Sequence, residues 1–184
     1  NHFTTAVHDC RRIRYPRNVL VHIVITPPAN ADEGERKLFL DPTRFHGQMY
    51  NIHSRCYRTL TLGEYRAALA AGYPAPGRFL LTFDDAYAHV NAAVTPMLNR
   101  FGFSAVMFAP WGHLDGRNVW DGHHPNLANL DIASADELKA MDGNGWEVAS
   151  HGTNHIDLTK VESAQRLSEL RASRDGLSEL LGRP

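Results

Sequence analysis

Residues 78–85 read Arg-Phe-Leu-Leu-Thr-Phe-Asp-Asp, and no other stretch restricts the fold as much. An apolar run of strand length ends abruptly in two carboxylates, Asp84 and Asp85. The apolar side chains favour burial and the carboxylates resist it. Both demands are met by a buried strand whose C-terminal end opens on a polar site, which is where parallel α/β folds place their chemistry. The remaining residues can then be tested for what converges on Asp84 and Asp85.

The neighbouring elements announce themselves by their punctuation. Residues 1–18 are polar, basic and irregular, an arm ahead of a domain at 19–184. Residues 19–25 form a nearly continuous β-branched run, as in a strand buried on both faces. His22 sits inside it, either as a hydrogen-bonded core residue or at the edge of a site. Pro27-Pro28 ends the run, 43–54 has weak helical character, and 57–60 reads as a short strand. Thr61-x-x-Glu64 is a capping box opening a helix through Ala71, stopped by Gly72.

Beyond Asp85, the residues Val90, Ala93, Val94, Met97, Leu98 and Phe101 form a helical stripe. Pro96 marks either a kink or the true start of that helix, and Gly102 closes it. Residues 104–109 are the next strand. The loop at 110–133 is long enough to suggest a functional role. Ser134-x-x-Glu137 opens a helix through Met141, and 146–150 is a strand. Thr159-x-x-Glu162 reads as a third capping box, starting a helix to about Leu181. Its expected buried side carries Val161, Ala164, Leu167, Leu170, Leu177 and Leu181. Strand and helix alternate from residue 57 onward with no hairpin turn. This predicts an α/β fold with a mostly parallel sheet and outer helices, either a barrel or a doubly wound sheet.

Composition serves mainly to exclude. A length of 184 residues suits one domain with a sizeable core. A net charge of -1 with scattered Lys and Arg offers no electrostatic footprint for nucleic acid. No apolar run approaches the ~18 residues of a membrane span. There is no glycine-rich phosphate loop, which argues against nucleotide binding. Cys10 and Cys56 make no disulfide framework. No targeting pattern is recognisable, so the compartment stays open. The 11 histidines are the one oddity, and they hint at metal.

Two strand ends carry unusual residues: Asp84-Asp85, and His151-x-x-x-His155 directly after the strand at 146–150. In a parallel barrel all strand C-termini open on one face, so these groups can meet although they are far apart in the chain. Two imidazoles and one carboxylate suit a divalent ion such as zinc, with positions left for water and substrate. Only one of the two aspartates is needed as a ligand. The other can accept a proton from an attacking water, which makes this a site for metal-assisted hydrolysis.

Thr82-Phe83-Asp84-Asp85-Ala86 and residues 150–158, Ser-His-Gly-Thr-Asn-His-Ile-Asp-Leu, resemble the first two motifs of the polysaccharide deacetylases, the NodB-homology or carbohydrate esterase family 4 group. The resemblance runs from about residue 19 to 184 and includes Phe45-x-x-Gln48-Met49 and Val119-Trp120-Asp121. It implies a distorted (β/α) TIM-like barrel. It also implies removal of acetyl groups, mostly N-acetyl, from N-acetylhexosamine units of a polysaccharide. By the same resemblance Asp84 is the catalytic base, and Asp85, His151 and His155 hold the metal. Trp111 and Trp120 are candidates to stack on a sugar ring, with Asp121 and His22 as further candidates for substrate binding; packing within the loop is the plain alternative for the tryptophans.

The chain departs from the family pattern in three places. Ala86 stands where the family usually has Gly. Gly152 and Ile156 stand where it has Ser or Thr and Pro, which removes a hydroxyl that steadies the loop unless Thr153 substitutes. The family's later motifs, including its general acid, follow a segment like the one ending at Pro184. The barrel is therefore expected to lack its last strands here, or to be completed by a second chain in an oligomer, and no general acid can be named. A sheet edge left open in this way is expected to be unstable. Three other readings stay open: a carbohydrate-binding pseudoenzyme of the same fold, a hydrolase of a small cyclic amide, and a non-haem iron oxygenase, the last disfavoured by the helical crossovers.

Overall fold

A computed structural model describes residues 17–21, 33–36, 39–72, 77–122 and 130–183. His22, Cys10, His123 and His124 lie outside the described residues, as does nearly all of the expected arm.

The strand that ends in Asp84 is the centre of the sheet. β1 (Arg17–Val21) runs parallel along one edge of β3 (Arg78–Asp84), with Arg17 opposite Phe79 and Val21 opposite Phe83. It begins two residues earlier than the β-branched run suggested. On the other edge, β2 (Arg58–Thr59) pairs with the start of β3 and β4 (Ala105–Ala109) pairs with its end. A hydrogen bond of 3.0 Å between Thr59 Oγ1 and Ser104 Oγ joins these two short neighbours. β5 (Trp146–Ser150) extends the sheet beyond β4, from Ala105 opposite Trp146 to Ala109 opposite Ser150. Every pairing is parallel, as the helical crossovers require. The result is the curled half of a parallel barrel.

Six helices are described: α1 (Glu33–Arg36), α2 (Pro42–Ser54), α3 (Leu62–Ala71), α4 (Ala88–Phe101), α5 (Ala135–Met141) and α6 (Ser163–Leu181). Asp41 caps α2 by accepting from Thr43 N at 2.9 Å and Arg44 N at 3.3 Å. The capping boxes at Thr61 and Ser134 form with both reciprocal hydrogen bonds. α4 buries Val90, Val94, Leu98 and Phe101, the stripe expected for it. It continues through Pro96, which lies on the exposed face. The carbonyl that loses its partner there belongs to exposed Ala92, within reach of water. The core forms where α2 and α4 meet the sheet. Phe83 is wholly buried, with its ring edge-on to Phe45 and Trp146.

Two expectations are corrected in the last helix. Thr159 is no cap: Asp157 takes its N–H at 3.0 Å and its hydroxyl at 2.6 Å, so the hydroxyl is used in a local turn. Glu162 stands at the N-cap without a side-chain capping bond, and α6 starts at Ser163. The buried face is also different. It carries Glu169, Ser173 and Leu177, whereas Leu167 and Leu170 are exposed. The helix docks largely through polar residues, which a search for apolar periodicity passes over.

The outer edge of β5 is blunted rather than bare. Val148 N donates to Asp142 Oδ1 at 3.1 Å, and Val148 O accepts from Arg183 Nη2 at 3.3 Å. Gly143 N donates to Trp146 O at 3.0 Å. The Asp142–Arg183 ion pair, at 2.6 Å, thus covers the backbone N–H and C=O that Val148 would otherwise present at the edge.

Candidate metal centre and active site

At the C-terminal end of β3 the backbone turns through conformations that side chains disfavour. Asp85 has φ +73° and Ala86 φ +54°, both left-handed. Residues held this way cost about 1–3 kcal/mol each and persist only where their surroundings impose them. Here Ala86 O accepts from Ala133 N at 2.8 Å, and Ala88 N donates to Asp131 O at 2.9 Å. The family's usual Gly at position 86 would suit this φ without strain.

The chain leaving β5 stays zipped to the chain leaving β4. His151 N donates to Ala109 O, Trp111 N to Gly152 O, and Gly112 N to Thr153 O, at 2.9, 3.0 and 2.9 Å. A Cβ at Gly112 would lie 2.8 Å from Thr153 O, so this approach requires glycine. The loop then passes through Gly152 at φ +81° to His155 at φ +51°.

These turns bring Asp85, His151 and His155 together. Asp85 Oδ1 lies 3.2 Å from His151 Nε2 and 3.0 Å from His155 Nε2. One ligand atom from each residue falls within 4.8 Å of the others, and no other such group of three occurs among the described residues. Asp85 Oδ1 is buried, yet no hydrogen bond of acceptable geometry reaches it. An orphaned buried oxygen this close to two ring nitrogens fits atoms aimed at a shared point rather than at one another. The donor set, two imidazoles and a carboxylate, suits a divalent ion of the zinc type. Electrostatics agree. Burial opposes the charge on Asp85, but the two imidazoles outweigh it and hold the carboxyl far below the usual range. His151 is raised by its contact with Asp85 against the cost of burial, and the charges of Asp84 and Asp85 add to the effect. Asp84 precedes Asp85 directly, at the last position of β3.

The loop candidates separate. Trp120 stacks on His155, with ring centroids 4.1 Å apart and planes 22° apart, and meets the edge of His113 at 5.1 Å. It therefore forms a wall of the site. Trp111 lies against α6, where a Cβ at Gly176 would come 2.1 Å from its Cε2. Asp121 accepts from Tyr87 Oη at 3.1 Å and from Asn118 Nδ2 at 2.9 Å, which engages one of its oxygens within the loop. Burial, helped by the charges of Asp85 and Asp121, pushes the Tyr87 hydroxyl well above its usual range, so it stays a donor.

Three participants escaped the sequence reading. Tyr87 follows the aspartate pair directly, and that adjacency was the available signal. Asn118 is fully buried, and its Oδ1 accepts from Leu130 N at 2.7 Å, tying together the two ends of the described loop. Glu169 binds the loop between the histidines from α6; nothing in the local pattern marks it.

Comparison with known proteins bears on the fold and the family. The profile of the family described as polysaccharide deacetylase matches residues 72–184, more than half of the chain. The chain is 27% identical over 131 residues to the Bacillus subtilis (strain 168) protein YxkH, which carries a polysaccharide deacetylase name. That match covers 71% of this chain and 42% of the relative, so the chain spans less than half of its length. Among solved structures, the deacetylase PplD of Streptococcus pyogenes, in complex with acetate, superposes with a TM-score of 0.70 at 24% identity, over 93% of this chain and 70% of that one. A polysaccharide deacetylase from Bacillus cereus gives 0.70 at 22% identity, over 93% and 48%. IcaB from Ammonifex degensii gives 0.68 at 20% identity, over 92% and 70%. The fold is that of the NodB-type deacetylases, and the chain belongs to the polysaccharide deacetylase family.

Proposed function

We propose that the site hydrolyses an acetyl group, most naturally an N-acetyl group, from a carbohydrate such as an N-acetylhexosamine unit of a polysaccharide, with a divalent ion, zinc by its donor set, as cofactor. The observation that carries this reading is the buried, orphaned Asp85 Oδ1 held 3.2 and 3.0 Å from two imidazole nitrogens beside a second aspartate. When bound, such an ion brings a water toward a pKa of ~7 and polarises the acetyl carbonyl. Asp85, His151 and His155 are the residues that would hold it. Asp84 is the base: it takes the proton as the water oxygen bonds to the acetyl carbon. The carbon–nitrogen bond then breaks as the departing nitrogen takes up a proton, the equivalent of the one Asp84 accepted, to give acetate and the amine. Trp120, flat on His155, keeps that ring from turning and shields one side of the site from water. Tyr87, held protonated, adds no competing charge beside the carboxylates. The acetate in the PplD complex is the product that such a reaction would release.

The test is acetate release from N-acetylglucosamine oligomers. The chain should release acetate, lose the activity in a chelator and regain it with added zinc. Binding of the oligomer with no acetate formed under any metal condition would favour the pseudoenzyme reading instead.

A further inference from the structure

The His151–His155 segment is unusual in how it is held. His155 occupies a left-handed conformation, and the residue after His151 is a glycine with no side chain to brace the turn. Such a segment needs external support to present two imidazoles to one point. The support comes from one residue of α6. Glu169 Oε2 accepts from Thr153 N at 3.1 Å and from Asn154 N at 2.8 Å. Its Oε1 accepts from Asn154 Nδ2. Its backbone oxygen accepts from Thr153 Oγ1 at 2.8 Å. Of these four hydrogen bonds, two take up the backbone donors of two of the three residues between the histidines, and two hold the side chains of the same residues.

We infer that Glu169 is a positioning residue for the metal centre: from α6 it fixes the path of residues 152–154, and thereby the placement of His151 and His155 on their shared point. A merely structural glutamate would sit at the surface of its helix. This one is buried, and the hydrogen bonds of its carboxylate go to Thr153 and Asn154 of the loop. One turn further along the same face, Ser173 bonds Ser150 Oγ at 2.7 Å, and Ser150 in turn accepts from Gly152 N at 3.2 Å. The polar face of α6 is therefore a template for the whole segment from 150 to 154. Charge-assisted hydrogen bonds to backbone N–H groups are the stronger kind, which suits a strained turn. This also accounts for the missing hydroxyl at position 152: Thr153 does supply one, and it is directed to Glu169.

The inference rests on the metal reading of the site, and one experiment separates the two. Zinc dissociation constants are measured by competition with a chromophoric chelator for the wild type, H155A, E169Q, E169A and R183A, together with the melting temperature of each metal-free protein. The wild type should bind one zinc and H155A should not. E169Q and E169A should bind about 10–100-fold more weakly, as expected when a supporting partner of the ligands is lost, with E169Q the milder because it keeps one acceptor oxygen. R183A removes a tether at the end of α6 that does not touch residues 150–154 and should melt earlier with wild-type zinc affinity. Wild-type affinity in E169Q and E169A would overturn the assignment. So would an affinity loss in R183A matching theirs at equal melting temperature. A wild type that takes up no zinc would overturn the metal reading, and this assignment with it.

Discussion

The two ends of the sheet are built from different materials. At the N-terminal end of the strands, most turns use glycine wherever the backbone must go left-handed: Gly72, Gly77, Gly102, Gly143 and Gly145, with Cys56 the exception. Polar groups there meet partners, as in Thr59 with Ser104, Trp146 Nε1 with Thr95 at 2.8 Å, and Leu62 N with Glu147 at 2.9 Å. At the C-terminal end only Gly152 is a left-handed glycine, the other left-handed positions fall on Asp85, Ala86, Asp115 and His155, and buried polar atoms of Asp85 and His113 lack hydrogen bonds. One end minimises strain and unmet hydrogen bonds. The other tolerates both in order to bring three ligand atoms together. Strain concentrated where carboxylates and imidazoles meet is a mark of a working site, and it costs stability that the opposite end must supply.

Breaking each end should have different consequences. The largest effect is expected at the site: Asp85→Ala should bind no ion in a stoichiometry assay and release no acetate, while its circular dichroism stays that of the wild type. Next comes packing between the two ends. Gly176→Ala drives a methyl into the Trp111 ring, and overpacking of this kind costs about 1–3 kcal/mol in a denaturant melt. If stability is unchanged there, Trp111 is free to move and sugar stacking regains its appeal. At the opposite end, Thr61→Ala removes a complete capping box and should cost about 1 kcal/mol, with zinc affinity and turnover unaltered. A change in turnover from that variant would mean that the two ends are coupled.

The smallest effect should be in acid. The bond from Arg183 holds the Asp142 carboxyl below its ordinary value, against burial, with help from the Val148 N–H. A carboxyl depressed in the folded state contributes stability above its unfolded pKa, near 4, and loses it as pH falls through the folded value. Asp142→Asn should therefore flatten the stability curve below about pH 4 and leave zinc affinity alone. Zinc affinity that fell with it would show that the β5 edge supports the site after all.

The same contrast explains what could be read from the sequence. Elements closed by their own neighbours were legible: the boxes at Thr61 and Ser134, the apolar stripe of α4, and the strand that terminates at Asp84 all rest on residues within one turn or one strand. The meeting of Asp85 with His151 and His155 was also legible, because parallel strands put their C-terminal ends on one face. What escaped depends on contacts across the fold. Thr159 was misread as a cap because Asp157, two residues before it, competes for the same hydroxyl. Glu169 and Ser173 fall outside the apolar side expected for that helix, because an apolar pattern cannot mark a polar docking surface. Asn118 gave no sign of being buried, since two of its partners, Leu130 and Tyr87, are 12 and 31 residues away in the chain.

The central claim is that the two adjacent aspartates do different work, Asp85 on the ion and Asp84 on the proton. The most direct measurement is zinc stoichiometry and acetate release side by side for Asp84→Asn and Asp85→Asn. The account predicts that Asp84→Asn keeps its zinc and loses about 10²–10⁴-fold in turnover, the usual contribution of a general base, while Asp85→Asn loses the zinc itself. An Asp84→Asn protein without zinc beside an Asp85→Asn protein that retains it would reverse the assignment.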